Sequence, residues 1–76
     1  MKVTARQRQV LRVLVEHDCE CWGQAWTHCD WMRWGAVPHA AFKRTCDALV
    51  GNGLVREGDD RLEVTVLGRA TDRVFR

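Results

Sequence analysis

The segment from Pro38 to Ala70 constrains the fold most, because its local signals follow one another in an order that few architectures accept. A proline suited to a first helical turn precedes Phe42, Cys46 and Leu49 at helical spacing, which predicts a helix over 38–51. Gly51-Asn52-Gly53 stops it. Leu54-Val55-Arg56-Glu57 reads as a strand, Gly58-Asp59-Asp60 as a tight turn and Arg61 to Val64 as the return strand. Thr65-Val66-Leu67-Gly68-Arg69-Ala70 then opens another helix. In a chain of 76 residues this helix and β-hairpin fill much of the molecule, so what the chain touches should lie on the outward face of the helix that begins at Pro38.

A chain of this length is expected to form a single domain over 1–76, near the lower limit for independent folding, where only about 60% of the unfolded surface is buried. That leaves no room for a deep substrate cleft. The composition is that of a folded protein, with 46% hydrophobic residues, four tryptophans and one proline. Met1-Lys2-Val3-Thr4 lacks the apolar run of a secretion signal, and no stretch approaches the roughly 18 to 20 apolar residues of a membrane span. The expected location is cytoplasmic, with no membrane partner.

Thr4 and Gln7 have the spacing of a capping box, and Val10, Leu11, Leu14 and Val15 follow at helical spacing, which places a first helix there with Arg6, Arg8 and Arg12 on its other face. His17 to Trp26 reads as polar and irregular, with a short strand at Ala25-Trp26-Thr27. Thr27 and Asp30 then mark the start of a short helix from His28 to Trp34, closed by Gly35, with Trp31 and Trp34 facing the core. The last helix, from about Arg69 to Phe75, carries Ala70, Val74 and Phe75 on a side that must be covered.

Two short helices joined at Gly35-Ala36-Val37 and followed by a hairpin resemble the winged helix-turn-helix superfamily, most closely its MarR-like bacterial and phage branch. The resemblance rests on Thr4-Ala5-Arg6-Gln7-Arg8-Gln9-Val10-Leu11, on Leu49-Val50-Gly51-Asn52-Gly53-Leu54-Val55 and on Val64-Thr65-Val66-Leu67-Gly68-Arg69, and spans almost the whole chain. It implies an α+β fold with a three-helix core, a two-stranded wing and a short C-terminal helix. It also implies a small transcriptional regulator that binds double-stranded DNA, with helix 38–51 in the major groove and the wing beside the backbone. MarR-like dimers pair their terminal helices across a two-fold axis, which would set two recognition helices about 34 to 36 Å apart on a palindromic site.

With Phe42, Cys46 and Leu49 inward, His39, Ala40, Lys43, Arg44 and Asp47 fall on or beside the outer face. Arg44 suits a guanine edge, Lys43 a phosphate, and Ala40 a thymine methyl. Thr45 joins them if the helix is slightly rotated. Arg56 and Arg61 flank the wing and are its candidate backbone contacts, because the tip Glu57-Gly58-Asp59-Asp60 is acidic where relatives of this kind usually carry lysine or arginine. Twelve basic against ten acidic residues leave a net charge of only +2, and Arg6, Arg8 and Arg12 read as a solubilising face.

That charge balance, the acidic wing and the tryptophans Trp22 and Trp26 support a second reading as a protein-interaction module, such as a phage-encoded modulator of a host enzyme. Cys19, Cys21 and Cys29 with His17 or His28 form a candidate zinc set, although Cys19 and Cys21 stand closer than paired zinc knuckles require. Cys46 is expected in the core as a small hydrophobe. A thiol switch between Cys19 and Cys29 is a further option, whereas disulfides are not expected in a cytosolic chain. No glycine-rich phosphate loop, nucleophile elbow or zinc-protease helix motif stands in the sequence, so the chain reads as a non-enzyme without a cofactor.

Overall fold

The first helix starts where its cap dictates. In the computed structural model, which describes residues 3–29 and 39–75, Thr4 accepts the backbone N–H of Gln7 at 3.2 Å and opens α1, Ala5–His17. The capping box is only half formed. The Gln7 side chain turns inward, and its carbonyl oxygen accepts from Asn52 Nδ2 at 3.3 Å, tying α1 to the far end of the next long helix. Val10, Leu11 and Leu14 are buried as their spacing requires. Val13 joins them while Val15 is half-buried, because α1 is walled by other elements on several sides.

Asp18, in the left-handed region at φ 49°, ends α1. The chain then forms a second helix, α2, Trp22–His28, where an irregular segment and a strand at Ala25-Trp26-Thr27 were expected. The helix is set by Trp22, Ala25, Trp26 and Cys29, at i, i+3, i+4 and i+7, which turn one face to the core. Gln24 accepts the Glu20 N–H at 2.6 Å and so steadies its first turn. His28 closes this helix, and Cys29 is extended, so no helix starts at His28. The rest of the expected 28–34 helix, with Trp31, Trp34, the Gly35-Ala36-Val37 turn and Pro38, lies outside the described residues.

Helix α3, His39–Gly51, packs Phe42, Cys46 and Leu49 against α1, and Trp26 meets Phe42 edge-on with ring centroids 5.0 Å apart. Its end is built by backbone geometry. Gly53 at φ 74° lets its own N–H reach Val50 O at 3.0 Å and the Leu54 N–H reach Leu49 O at 3.0 Å, a six-to-one and five-to-two pair that a Cβ at that φ would disfavour. Strands β1, Val55–Glu57, and β2, Leu62–Val64, then pair antiparallel with Arg56 opposite Glu63. Gly58 donates to Arg61 O at 3.0 Å across the turn, and Leu62 donates to Glu20 O at 2.9 Å, fixing the hairpin to the loop before α2.

Thr65 starts α4, Val66–Val74, accepting the Gly68 N–H at 3.0 Å and donating to Gly53 O at 2.6 Å. Among the described residues the result is a small α+β fold of four helices and one two-stranded hairpin. No helix among them is long and apolar enough to cross a membrane. Helix α4 does pack back on α1, but with the face opposite to the expected one. Gly68 and Asp72 are buried, whereas Ala70 is exposed, Val74 is 77% exposed and Phe75 47%. The cause is an ion pair: Asp72 accepts from Arg12 Nη1 at 2.9 Å, so Arg12 serves as an anchor and not as a solubilising side chain. Arg8 lies over the Phe75 ring, 4.8 Å from its centroid.

Gly68 is where α4 touches the α3–β1 junction. A Cβ there would overlap Leu54 O and sit 2.8 Å from Val64 Cγ1. Gly68→Ala should therefore lower stability by about 3 kcal/mol, a large fraction of what so small a domain possesses. Urea unfolding followed by tryptophan fluorescence measures it, and an unchanged midpoint would mean that α4 does not seat on this backbone.

Candidate nucleic-acid interface

Helical periodicity and the apolar core fix the outer face of α3. Once Phe42, Cys46 and Leu49 are locked inside, Ala40, Lys43, Arg44 and Asp47 share one exposed stripe at i, i+3, i+4 and i+7. His39 is the first residue of the helix. Neither Lys43 nor Arg44 forms an ion pair among the described residues. Asp47 stands one turn beyond both, so the stripe offers two cations and one carboxylate. Thr45 lies on the other side, buried, with its hydroxyl donating to Ala41 O at 3.0 Å. The rotation that would bring it outward is not the one the core selects.

The wing is differently composed. Arg56 is tied across the hairpin to Glu63, and Arg61 donates to Asp18 Oδ1 at 2.8 Å, so both candidate backbone contacts already hold a carboxylate. Exposed pairs of this kind are worth about 0.2 to 1 kcal/mol, so exchanging a carboxylate for a phosphate costs little. The tip, Asp59-Asp60, is exposed and carries negative charge. Trp22 is half-buried and donates from Nε1 to Glu57 Oε1 at 3.4 Å, which gives this tryptophan a structural role in holding α2 to the wing.

The candidate zinc residues meet only in pairs. Cys19 and Cys29 are buried and Cys21 is exposed, while His17 and His28 stack on each other with ring centroids 4.0 Å apart and planes 6° from parallel. Among the described residues no group of three or more histidine, cysteine or acidic side chains is placed to hold a metal ion. Sequence reasoning marked Ala70, Val74 and Phe75 of the last helix as a side to be covered but expected it to face inward, and it left out Val66, 86% exposed, and Leu67, 48% exposed, which belong to the same outward face. The repeat of Val66, Ala70 and Val74 at four-residue spacing marked that face, but nothing local showed that it points away from the core.

Burial keeps the inner thiols protonated. Desolvation, with a smaller push from Cys19, raises Cys29 from 9.0 to about 11, and desolvation followed by the charge of Asp47 raises Cys46 to about 12. Cys19 is raised by burial first and then by Cys21 and Asp18. In the unfolded chain these thiols ionise near 9.0, so between there and about 12 the unfolded state binds fewer protons and stability falls as pH rises. At neutral pH an aromatic disulfide reagent should modify Cys21 rapidly and the other three only after denaturation. Rapid reaction of two or more thiols in the native protein would contradict this placement.

Compared with known proteins, the chain matches no family model, no curated protein and no solved structure.

Proposed function

We propose that this chain is a winged helix-turn-helix protein that binds double-stranded DNA through α3 and acts in the cytoplasm as a small transcriptional regulator, not as an enzyme. The observation that carries the reading is the outer stripe of α3, on which Lys43 and Arg44 stand exposed beside the small Ala40, with no ion pair among the described residues. A helix with a narrow, cationic outer face and an apolar inner one has the shape and chemistry to enter the major groove. Arg44 is suited to O6 and N7 of a guanine, Asp47 to the amino group of a cytosine, and Lys43 to a phosphate. In this reading the acidic wing tip is held away from the duplex, and backbone contact falls to Arg56 and Arg61 after they release Glu63 and Asp18.

A net charge of +2 implies few phosphate contacts, so binding should be moderate and should depend on base contacts more than on bulk electrostatics. Selection of bound fragments from random duplex DNA, followed by a salt titration on the selected site, tests this. The log–log slope should be shallow, at about −0.9 for each phosphate neutralised. Arg44→Ala should weaken binding to the selected site by about 1 to 3 kcal/mol and relax the preference at one base position, while Lys43→Ala weakens all sequences alike. Protein that retains no duplex even at low salt would overturn the proposal.

A further inference from the structure

Helix α4 is an amphipathic helix mounted with its apolar side outward. On a 3.6-residue wheel Val66, Ala70, Val74 and Leu67 occupy one continuous arc, and the exposures of Val66 at 86% and Val74 at 77% show that the arc faces solvent. The reversal is built in: Gly68 is the position at which α4 meets Leu54 and Val64, and Asp72 reaches inward to Arg12. The helix cannot turn its apolar arc to the core without breaking that ion pair and forcing a Cβ into the Leu54 backbone.

The exposed charged side chains of α4 on the rim of this strip are arginines, although Asp18 and Glu63 share a groove with the first of them, Arg69. Arg69 and Arg73 lie along one edge, both exposed and both without an ion pair among the described residues, and Arg8 stands over Phe75 at the C-terminal end. The one carboxylate of α4, Asp72, is buried against Arg12. A separate groove of about 550 Å³ lies between α1 and the inward side of α4, lined by Arg8, Arg12, Asp72 and Phe75.

A second copy of the chain fits this rim poorly. In an antiparallel helix pair like edges meet, so Arg69 and Arg73 of one copy would face Arg73 and Arg69 of the other. The strip is also only about 14 Å long, and two such strips bury far less than the roughly 1,200 Å² at which stable interfaces begin. A different protein is not bound by two-fold symmetry and can set acidic side chains against the Arg69 and Arg73 edge while it covers the strip.

We propose that the outward face of α4 is a docking site for an amphipathic helix of another protein, whose apolar stripe covers Val66, Ala70 and Val74 and whose acidic flank pairs with Arg69, Arg73 and Arg8. This inference does not depend on the DNA reading, because the site lies on a different element from Lys43 and Arg44.

A capped synthetic helix of about five turns, with leucines at helical spacing flanked by glutamates, serves as the probe, and the same peptide with lysines for the glutamates is its control. Fluorescence anisotropy should show saturable binding of the glutamate peptide, at least about ten-fold tighter than the lysine peptide. Val66→Ser with Val74→Ser should abolish it, and Arg69→Glu with Arg73→Glu should reverse the preference. Both pairs are exposed, so the fold tolerates them, and Lys43→Ala with Arg44→Ala should leave peptide binding unchanged. Equal affinity for the two peptides, or binding indifferent to the serine pair, overturns the proposal. So does a sedimentation mass of two chains that the serine pair returns to one, or vesicles of anionic lipid binding this face in place of the peptide.

Discussion

The apolar stripe of α1 is the wall on which everything else is hung. Val10, Leu11 and Leu14 belong to the same cluster as Phe42, Cys46 and Leu49, and α1 also contacts α2, α4 and β2. Burial of side chains such as Leu49 and Phe42 contributes about 1.5 to 3 kcal/mol each, which in a domain of this size decides the rotation of α3. That rotation then decides which residues face solvent. Lys43 and Arg44 point outward because a helix whose 42, 46 and 49 positions are buried has nowhere else to put them.

Charge is sorted over the surface in a way that the net value conceals. The wing and the loop beside it carry Asp18, Glu57, Asp59, Asp60 and Glu63, while arginines dominate the exposed edge of α4 and its approach to α1. The outer stripe of α3 is a small mixed surface, with Lys43, Arg44 and Asp47 exposed. Phosphate would meet repulsion at the wing tip and attraction at α3, so a duplex would engage the helix before the hairpin. Proteins with acidic helices would meet their attraction along α4.

Much of α3 and the hairpin was legible in the sequence because the signals there are local. Gly53 supplies a left-handed backbone that ends the helix, Gly58 closes the turn, and Thr65 caps the next helix, each through bonds within a few residues or to the adjoining segment. The inward positions of Phe42, Cys46 and Leu49 followed from periodicity. Where the reading failed, distant partners decided. Asp72 is inward because Arg12 waits for it 60 residues away, and that pair turns Val74 outward. Gln7 abandons its capping role because Asn52 offers a partner. Helix α2 was hidden by Gly23 and polar neighbours, although Trp22, Ala25, Trp26 and Cys29 carried its period. The outer residues of α3 were open to sequence as a face, and Thr45, three residues after Phe42 and four before Leu49, falls on its inner side as the same period requires.

The most direct test of the central claim is an amide NMR titration of the labelled protein with a duplex recovered by selection. With the duplex seated on α3, the resonances of Ala40, Lys43, Arg44 and Asp47 shift together and saturably, while those of Leu11, Leu49 and the Val66 to Val74 helix stay in place. Shifts confined to α4 or to the wing tip, with Lys43 and Arg44 unmoved, would contradict it.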